Sequence, residues 1–360
     1  MRNLRSQKNK KMQIQENISL LPHNTFGINA HCRYFAEYEN IAELREFLKS
    51  DIFKNNKFLH IGAGSNLLFL SDFNGIILHS KIKGITKTDE TANEVFIKVG
   101  AGVVWDDFVQ YAVENNFGGA ENLSLIPGEV GAAAVQNIGA YGVEAKDIIS
   151  SVEIVEIDTL QTRILKNEEC KFAYRESIFK NEAKGKCIVT NVVFRLSKKP
   201  FFHLKYGNLS EYLKNTEKID LQAIRNAIIK IREEKLPDYK ILGNAGSFFK
   251  NPYCDKAHFE YLQKKYPNIP FYPVVSTCFD NAQQPSLNNR FVKLSAAWLI
   301  EQCGWKGKTL GGAAVYHLQP LVLVNQGNAK PKDVANLAAE IQKSVKEKFC
   351  VELETEVNFI

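Results

Sequence analysis

Apolar residues along this chain follow two rhythms, and the first clear one is helical. Ile41, Leu44, Phe47 and Leu48 fall on one face, and Asn40 with Glu43 three places on has the form of a capping box. Residues 57–61 predict a short strand that runs into Gly62-Ala63-Gly64-Ser65-Asn66. Asn74-Gly75 is a turn signal between Phe73 and a strand over 76–79. Residues 94–99 alternate as a half-buried strand does, and Trp105, Phe108, Val109 and Ala112 mark a second helix. A Gly- and Ala-rich stretch over 118–142 precedes strands at 152–157, 163–165 and 188–196.

Helical spacing returns at Leu221, Ile224, Ile228 and Ile231 and ends at Leu236-Pro237, because the residue before a proline leaves the helical region. Further helices are predicted around 258–265 and over 292–303, with a proline-spaced loop at 267–273 between them and a buried strand at 321–324 after them. Asp333 is placed to cap a long helix bearing Val334, Leu337, Ala338, Ile341 and Val345, and residues 351–360 predict a closing strand. Helices and strands mix without regular β-α-β alternation, which favours an α+β fold over a doubly wound sheet. Residues 1–18 are polar and aperiodic and predict a flexible extension, so ordered structure is expected from about Ser19.

Length and charge narrow the picture. At roughly 150 residues per domain, 360 residues predict two or three domains. The net charge is +6, but Arg2, Arg5, Lys8, Lys10 and Lys11 supply five of those charges before any acid occurs. The remaining body is nearly neutral, which argues against a nucleic-acid surface. No apolar run approaches the roughly 18 residues of a membrane span, and no apolar segment follows the basic start as in a secretion signal. The seven cysteines are scattered without a C-x-x-C pair, and no two histidines stand at i, i+4. These spacings predict reduced thiols, no metal site and a cytoplasmic protein. Met12 is the only methionine besides Met1 and an alternative start of translation.

Two small-residue clusters carry the candidate chemistry. In Gly62-Ala63-Gly64-Ser65-Asn66, backbone N–H groups can approach a phosphate without a Cβ in the way. A Rossmann fingerprint needs a third glycine where Leu67 stands, so the cluster is not that motif. The second runs Ile126-Pro127-Gly128-Glu129-Val130-Gly131-Ala132-Ala133-Ala134-Val135-Gln136-Asn137-Ile138-Gly139. Pro127 is suited to start a helical turn whose first amides face a pyrophosphate. Close packing of two backbone segments explains the same residues equally well.

The ordered set of motifs resembles the UDP-N-acetylenolpyruvoylglucosamine reductase family and, more distantly, the vanillyl-alcohol-oxidase-like flavoproteins. The resemblance rests on both clusters, on Tyr174-Arg175-Glu176-Ser177, on Lys235-Leu236-Pro237, on the stretch from Gly243 through Ser247 to Pro252, and on Leu353-Glu354-Thr355-Glu356-Val357. Phe271-Tyr272-Pro273 is similar to the tyrosine-bearing lid of the family's larger type. Asn358 stands where some members have Arg, which removes one expected substrate contact, and residues 1–18 have no counterpart.

The resemblance implies an FAD-binding unit over 19–200, made of two subdomains divided near 81, and a substrate domain over 201–360. It implies bound FAD, NADPH as co-substrate and a UDP-sugar as the molecule reduced, with no obligate protein partner. It assigns catalytic roles to Arg175, Ser247 and Glu356, with a proton-carrying Glu356 helping Arg175 at the developing oxyanions and Ser247 as proton donor. It assigns substrate contacts to Tyr174, Lys235, Asn251, Tyr272 and Gln319. Cofactor contacts fall on Gly62, Gly64, Ser65, Asn66, Pro127, Gly128, Gly131, Asn137 and Gly139. Taken singly these residues have plain structural readings: a turn serine, a paired arginine, an exposed strand glutamate. An oxygen-using FAD oxidase and a binding protein acting through its basic arm are the competing functions.

Overall fold

The computed structural model describes residues 12–204, 207–274 and 290–360. The first layer is a sheet in the order Ile14–Ser19, His31–Tyr38, Phe73–Ser80, Phe58–Ile61. Its last three strands are parallel and the first is antiparallel. Helix Ile41–Lys49 covers it with Leu44, Phe47 and Leu48. Asn40 Oδ1 accepts from Glu43 N at 3.0 Å, and Glu43 reaches back to the amide of Glu39, so the cap forms one residue wider than the box.

The second layer is an antiparallel sheet in the order Thr162–Lys166, Ile149–Glu156, Cys187–Ser197, Glu94–Gly100, Ile85–Glu90. The chain passes from the first sheet to the second between Ser80 and Ile85. Helix Trp105–Glu114 packs on this sheet through Trp105 and Phe108 against Phe194, with ring centroids 4.2–5.8 Å apart. The third unit has two small antiparallel sheets, Asn244–Ser247 with Val322–Asn325, Ala313–Val315 and Thr309–Leu310, and Tyr253–Asp255 with Phe291–Leu294 and Phe271–Pro273. Helices Ala296–Gln302 and Pro331–Phe349 close its core.

This third unit is stitched to the first from both chain ends. Thr25 Oγ1 donates to Asn244 O at 2.7 Å, Asn244 N donates to Thr25 O at 2.9 Å, and Phe26 and Ile28 enter the C-terminal core. At the other end Asn358–Phe359 pairs in parallel with Leu67–Leu68, directly after the first glycine cluster.

Several expectations need correcting. Ile14–Ser19 is an edge strand, so order begins before Ser19; residues 1–11 lie outside the described residues. A polar edge strand needs only backbone pairing, here from Ile14 with Ala36 to Ser19 with His31, and leaves no hydrophobic rhythm. Asn74-Gly75 is no turn but lies inside strand Phe73–Ser80; a Cβ on Gly75 would sit 2.5 Å from Lys57 O, so the glycine serves a close approach. The stretch 292–303 splits into strand Phe291–Leu294 and helix Ala296–Gln302, with Ser295 accepting from Trp298 N as the cap. Asp333 sits in the first turn of its helix, which begins after Lys330, and accepts from Lys330 N. Of residues 351–360 only Asn358–Phe359 is strand.

The division expected at 200/201 is better drawn near Pro237. Helix Leu221–Lys235 packs Ile224, Ile228 and Ile231 on Leu209, Leu213 and Tyr141, and Leu221 enters the second sheet's core.

Candidate active site

Arg175 stands where the second subdomain meets the C-terminal tail. Its backbone is in the left-handed region at φ 58°, which costs a non-glycine residue about 1 kcal/mol or more and marks a position held by its surroundings. Lys180 Nζ donates to its carbonyl at 2.6 Å and holds that turn. The guanidinium donates from Nε to Glu356 Oε1 at 2.9 Å and from Nη2 to Gly139 O at 2.6 Å, and Nη1 lies 3.9 Å from Glu144 Oε1. Burial works against its charge, but Glu356, Tyr174 and Glu144 outweigh that and raise its pKa.

Glu356 is placed by backbone pairing. Phe249 bridges Thr355, and Glu356 N donates to Phe248 O at 2.8 Å, so Ser247 lies one residue from a group bonded to Glu356. Ser247 pairs with Val322 across an irregularity that Gly246 permits at φ 69°. Its side chain is exposed, and its hydroxyl makes no hydrogen bond among the described residues. Gln319 follows the same junction: its carbonyl accepts from Val322 N at 3.0 Å, beside the strand that carries Ser247.

Tyr174 stacks under two cations, with Arg175 Cζ 5.1 Å and Lys293 Nζ 4.1 Å from its ring centroid. Lys293 Nζ also lies 6.0 Å from the Tyr272 centroid, because strand pairing sets Lys293 opposite both Tyr253 and Tyr272. Burial lowers the Lys293 pKa, and it makes no ion pair among the described residues. Sequence reasoning missed this residue because it took 292–303 as one helix, and only the two aromatic partners give it away. Asn251 and Tyr174 line a cleft of about 730 Å³ with Lys250 and Tyr253. Asn251 Oδ1 is already used, accepting from Ala296 N at 3.0 Å. Lys235 is exposed at its helix end, and no contact draws it to the others.

The two glycine clusters lie against each other. Ser65 Oγ donates to Pro127 O at 3.0 Å, and a Cβ on Gly62 would lie 3.1 Å from Ala132 Cβ. Gly64 has φ 67°, and any Cβ there would meet His23 O at 2.0 Å, so only glycine fits. Asn66 ties the loop to the site, donating from Nδ2 to Glu356 O at 3.1 Å.

Comparisons with known proteins decide the family. A UDP-N-acetylenolpyruvoylglucosamine reductase of Bacteroides fragilis is 48% identical over 347 residues, covering 96% of this chain and 100% of that protein. One from Porphyromonas gingivalis is 46% identical over 97% of this chain and 100% of its own length. The chain belongs to the UDP-N-acetylenolpyruvoylglucosamine reductase family. The family model for that reductase's C-terminal domain matches residues 237–360, starting at the structural boundary near Pro237, and an FAD binding domain model matches residues 32–161. The crystal structure of the Thermus caldophilus reductase shares the fold, with a TM-score of 0.64 at 23% identity over 97% of this chain and 99% of that one.

The FAD model spans both glycine clusters, and their backbone fits the cofactor. In the first cluster the carbonyls are the engaged groups, Gly64 O accepting from Thr25 N and Asn66 O from Asn358 N. The amides of residues 63–66 donate to no acceptor among the described residues. Gln136 Nε2 in the second cluster is buried without a partner, a donor suited to a bound ligand. The expected helical amides do not fit. Val130 N donates to Val103 O and Gly131 N to Ala101 O, both at 2.9 Å, so bonding to a neighbouring loop has consumed them. Asn137 and Gly139 also serve a different purpose from the one expected. Asn137 Nδ2 donates to Ala173 O at 2.7 Å and its Oδ1 accepts from Lys146 N, while Gly139 leaves room for the Arg175 guanidinium, 2.9 Å from where a Cβ would stand.

Proposed function

We infer that this chain catalyses NADPH-dependent reduction of UDP-N-acetyl-3-O-(1-carboxyvinyl)-glucosamine to UDP-N-acetylmuramate through FAD, in peptidoglycan precursor synthesis. The 63–66 loop, with Pro127 and Gly128 against it, would hold the cofactor's diphosphate. FAD, when bound, accepts hydride from NADPH and passes it to the terminal carbon of the enolpyruvyl group.

Hydride arrival leaves negative charge beside the substrate carboxylate, spread over its oxygens, and donors fixed in advance at those oxygens are the largest catalytic contribution. Arg175 is set for this role, since it is largely shielded from water, pre-oriented and only partly satisfied by Glu356. Ser247 supplies the proton to the adjacent carbon, and its exposed hydroxyl, which has no hydrogen-bond partner among the described residues, supports that reading. In the ligand-free arrangement Glu356 accepts from Arg175 Nε. That contact is one the substrate carboxylate would take over, leaving Glu356 to act beside Arg175 at the developing oxyanion. Lys293, Tyr174 and Tyr272 form a cation–aromatic cluster suited to the sugar nucleotide's phosphates, with Asn251, Gln319 and Lys235 as further contacts.

The observation that carries this reading is the convergence of Arg175, Glu356 and the Ser247 strand. No helix among the described residues is long and apolar enough to cross a membrane. Ser247→Ala tests the reading. Stopped-flow absorbance should show flavin reduction by NADPH near normal, and reoxidation by the enolpyruvyl substrate slowed about 10²–10⁴-fold, the range for a positioned acid. Equal slowing of both steps would make Ser247 a residue that shapes the flavin pocket. Rapid turnover with oxygen and no need of NADPH would favour the oxidase instead.

A further inference from the structure

Behind the glycine clusters runs a chain of charges, buried at Glu129 and His79 and partly exposed at Glu37 and Lys81, that the reaction does not use. Glu129 follows Gly128 directly. Its side chain is buried, with Oε2 3.3 Å from where a Cβ on Gly62 would stand, so a carboxylate lies between the two loops. Its partner is His79, whose Nε2 lies 3.1 Å from both Glu129 oxygens. The other ring nitrogen, Nδ1, lies 2.9 Å from Glu37 Oε1, and Lys81 Nζ lies 3.1 Å from that same oxygen. Ionised carboxylates only accept, so a ring bonded to both donates through both nitrogens.

The remaining neighbours are neutral. Burial, then His79, lowers the pKa of His23, and the same two causes take His60 down to about 3. The cluster therefore sets Glu37 and Glu129 against His79 and Lys81, and its charges balance. Without His79, a bare carboxylate would stand where the loops must receive a dianionic diphosphate. An uncompensated buried charge is far more costly than a compensated one.

We propose that His79 is a positioning residue for the FAD diphosphate: it neutralises the Glu129 carboxylate that lies between the two loops, so that the amides of the first loop meet the anion without an opposing bare charge behind them. This rests on the FAD reading of the two loops. The side-chain network acts through Glu129, and the role predicts that removing the acid repairs the loss of the histidine.

The test is the dissociation constant of FAD, read from the fluorescence of flavin released on diluting the holoenzyme. His79→Gln should weaken binding about ten- to hundredfold, as expected when a buried pair loses one partner. Glu129→Gln, and the double variant His79→Gln with Glu129→Gln, should each stay within about threefold of the parent, a non-additivity that marks direct coupling. A residue that only props up the fold would leave the double variant at least as weak as the single. That result, or a His79→Gln chain that binds FAD as the parent does, would overturn the proposal. If His79→Gln alone does not fold, the double variant decides. Binding within about threefold of the parent supports the role, and a loss of tenfold or more refutes it. A parent enzyme that holds no flavin would overturn the reading of the loops themselves, and the proposal with it.

Discussion

Two arginines with carboxylate partners, Arg225 buried and Arg175 partly so, show how the same pair of residue types serves two ends. Arg225 meets Asp106 with two parallel bonds, Nη1 to Oδ1 at 2.7 Å and Nη2 to Oδ2 at 2.8 Å. Asp106 Oδ1 also accepts from Leu125 N at 2.6 Å, so one carboxylate fixes helix Leu221–Lys235 and the turn that leads into Pro127. Both Asp106 oxygens are engaged, and the two-bond fork geometry suits a structural clamp. Arg175 has no such fork. It gives one bond to Glu356, one to the Gly139 carbonyl and a long one of 3.5 Å from Nη1 to the Asn137 carbonyl, with Nη1 3.9 Å from Glu144, on a backbone held in a strained region. A guanidinium left in this state can receive a substrate carboxylate without breaking a closed pair. The difference separates an ion pair that holds the fold from one that, on the proposed function, would receive the substrate carboxylate.

The largest effect expected from this contrast is on Arg175. Arg175→Lys keeps the charge but loses the planar array of donors. It should lower kcat about 10²–10³-fold, as loss of an oxyanion donor does. Its thermal midpoint should stay close to the parent's. Arg225→Leu should behave in the opposite way. It leaves Asp106 partly buried and short of a partner. The expected loss is about 3 kcal/mol of stability, at the low end for a broken buried pair because a quarter of the Asp106 side chain stays exposed. Turnover per bound flavin should remain near normal. Denaturant unfolding and steady-state kinetics on both variants check this. An Arg175→Lys enzyme that unfolds early yet turns over normally would erase the distinction.

The two regions also differ in how far the sequence discloses them. The Arg225 helix was legible to its last residue, since Leu221, Ile224, Ile228 and Ile231 keep helical spacing and Pro237 ends it. The Arg225–Asp106 pair was not, because 119 positions separate its members and nothing in local pattern links them. The Arg175 region was legible only as a motif. Its meeting with Glu356 depends on the tail crossing Phe248 and Phe249, which no periodicity announces. Lys293 was hidden for a different reason. The strand Phe291–Leu294 and the helix after Ser295 form one apolar run, and merging them put Lys293 on a helix face instead of between Tyr253 and Tyr272. The Ser295 cap was the signal that would have divided the run.

The smallest effect uses pH to ask whether the Arg225 clamp or an ordinary buried histidine governs acid stability. Burial pushes the Asp106 carboxyl up, but Arg225 and the Leu125 amide outweigh it and hold the pKa below the usual 3.8. A carboxyl with a depressed folded pKa contributes fully above its unfolded value and loses that contribution as pH falls through the folded one. The clamp should therefore survive until the pH drops below 3.8. His60 is the reverse case. Burial, with His79 nearby, lowers it from 6.5 to about 3, so the unfolded chain takes up its proton first and stability falls as pH drops through that interval. His23, lowered by burial as well, adds in the same direction. The slope should fall short of the roughly 1.4 kcal/mol per pH unit of a fully excluded group, because the His60 ring keeps some exposure and bonds Tyr38 Oη at 2.9 Å. Thermal midpoints between pH 6.5 and about 4 should thus decline less steeply in His60→Gln than in the parent. Asp106→Asn should lie below the parent by a constant margin across that window, and the margin should close only under pH 3.8. A margin that closes near neutrality would show that Arg225 does not hold the Asp106 carboxyl below its usual value.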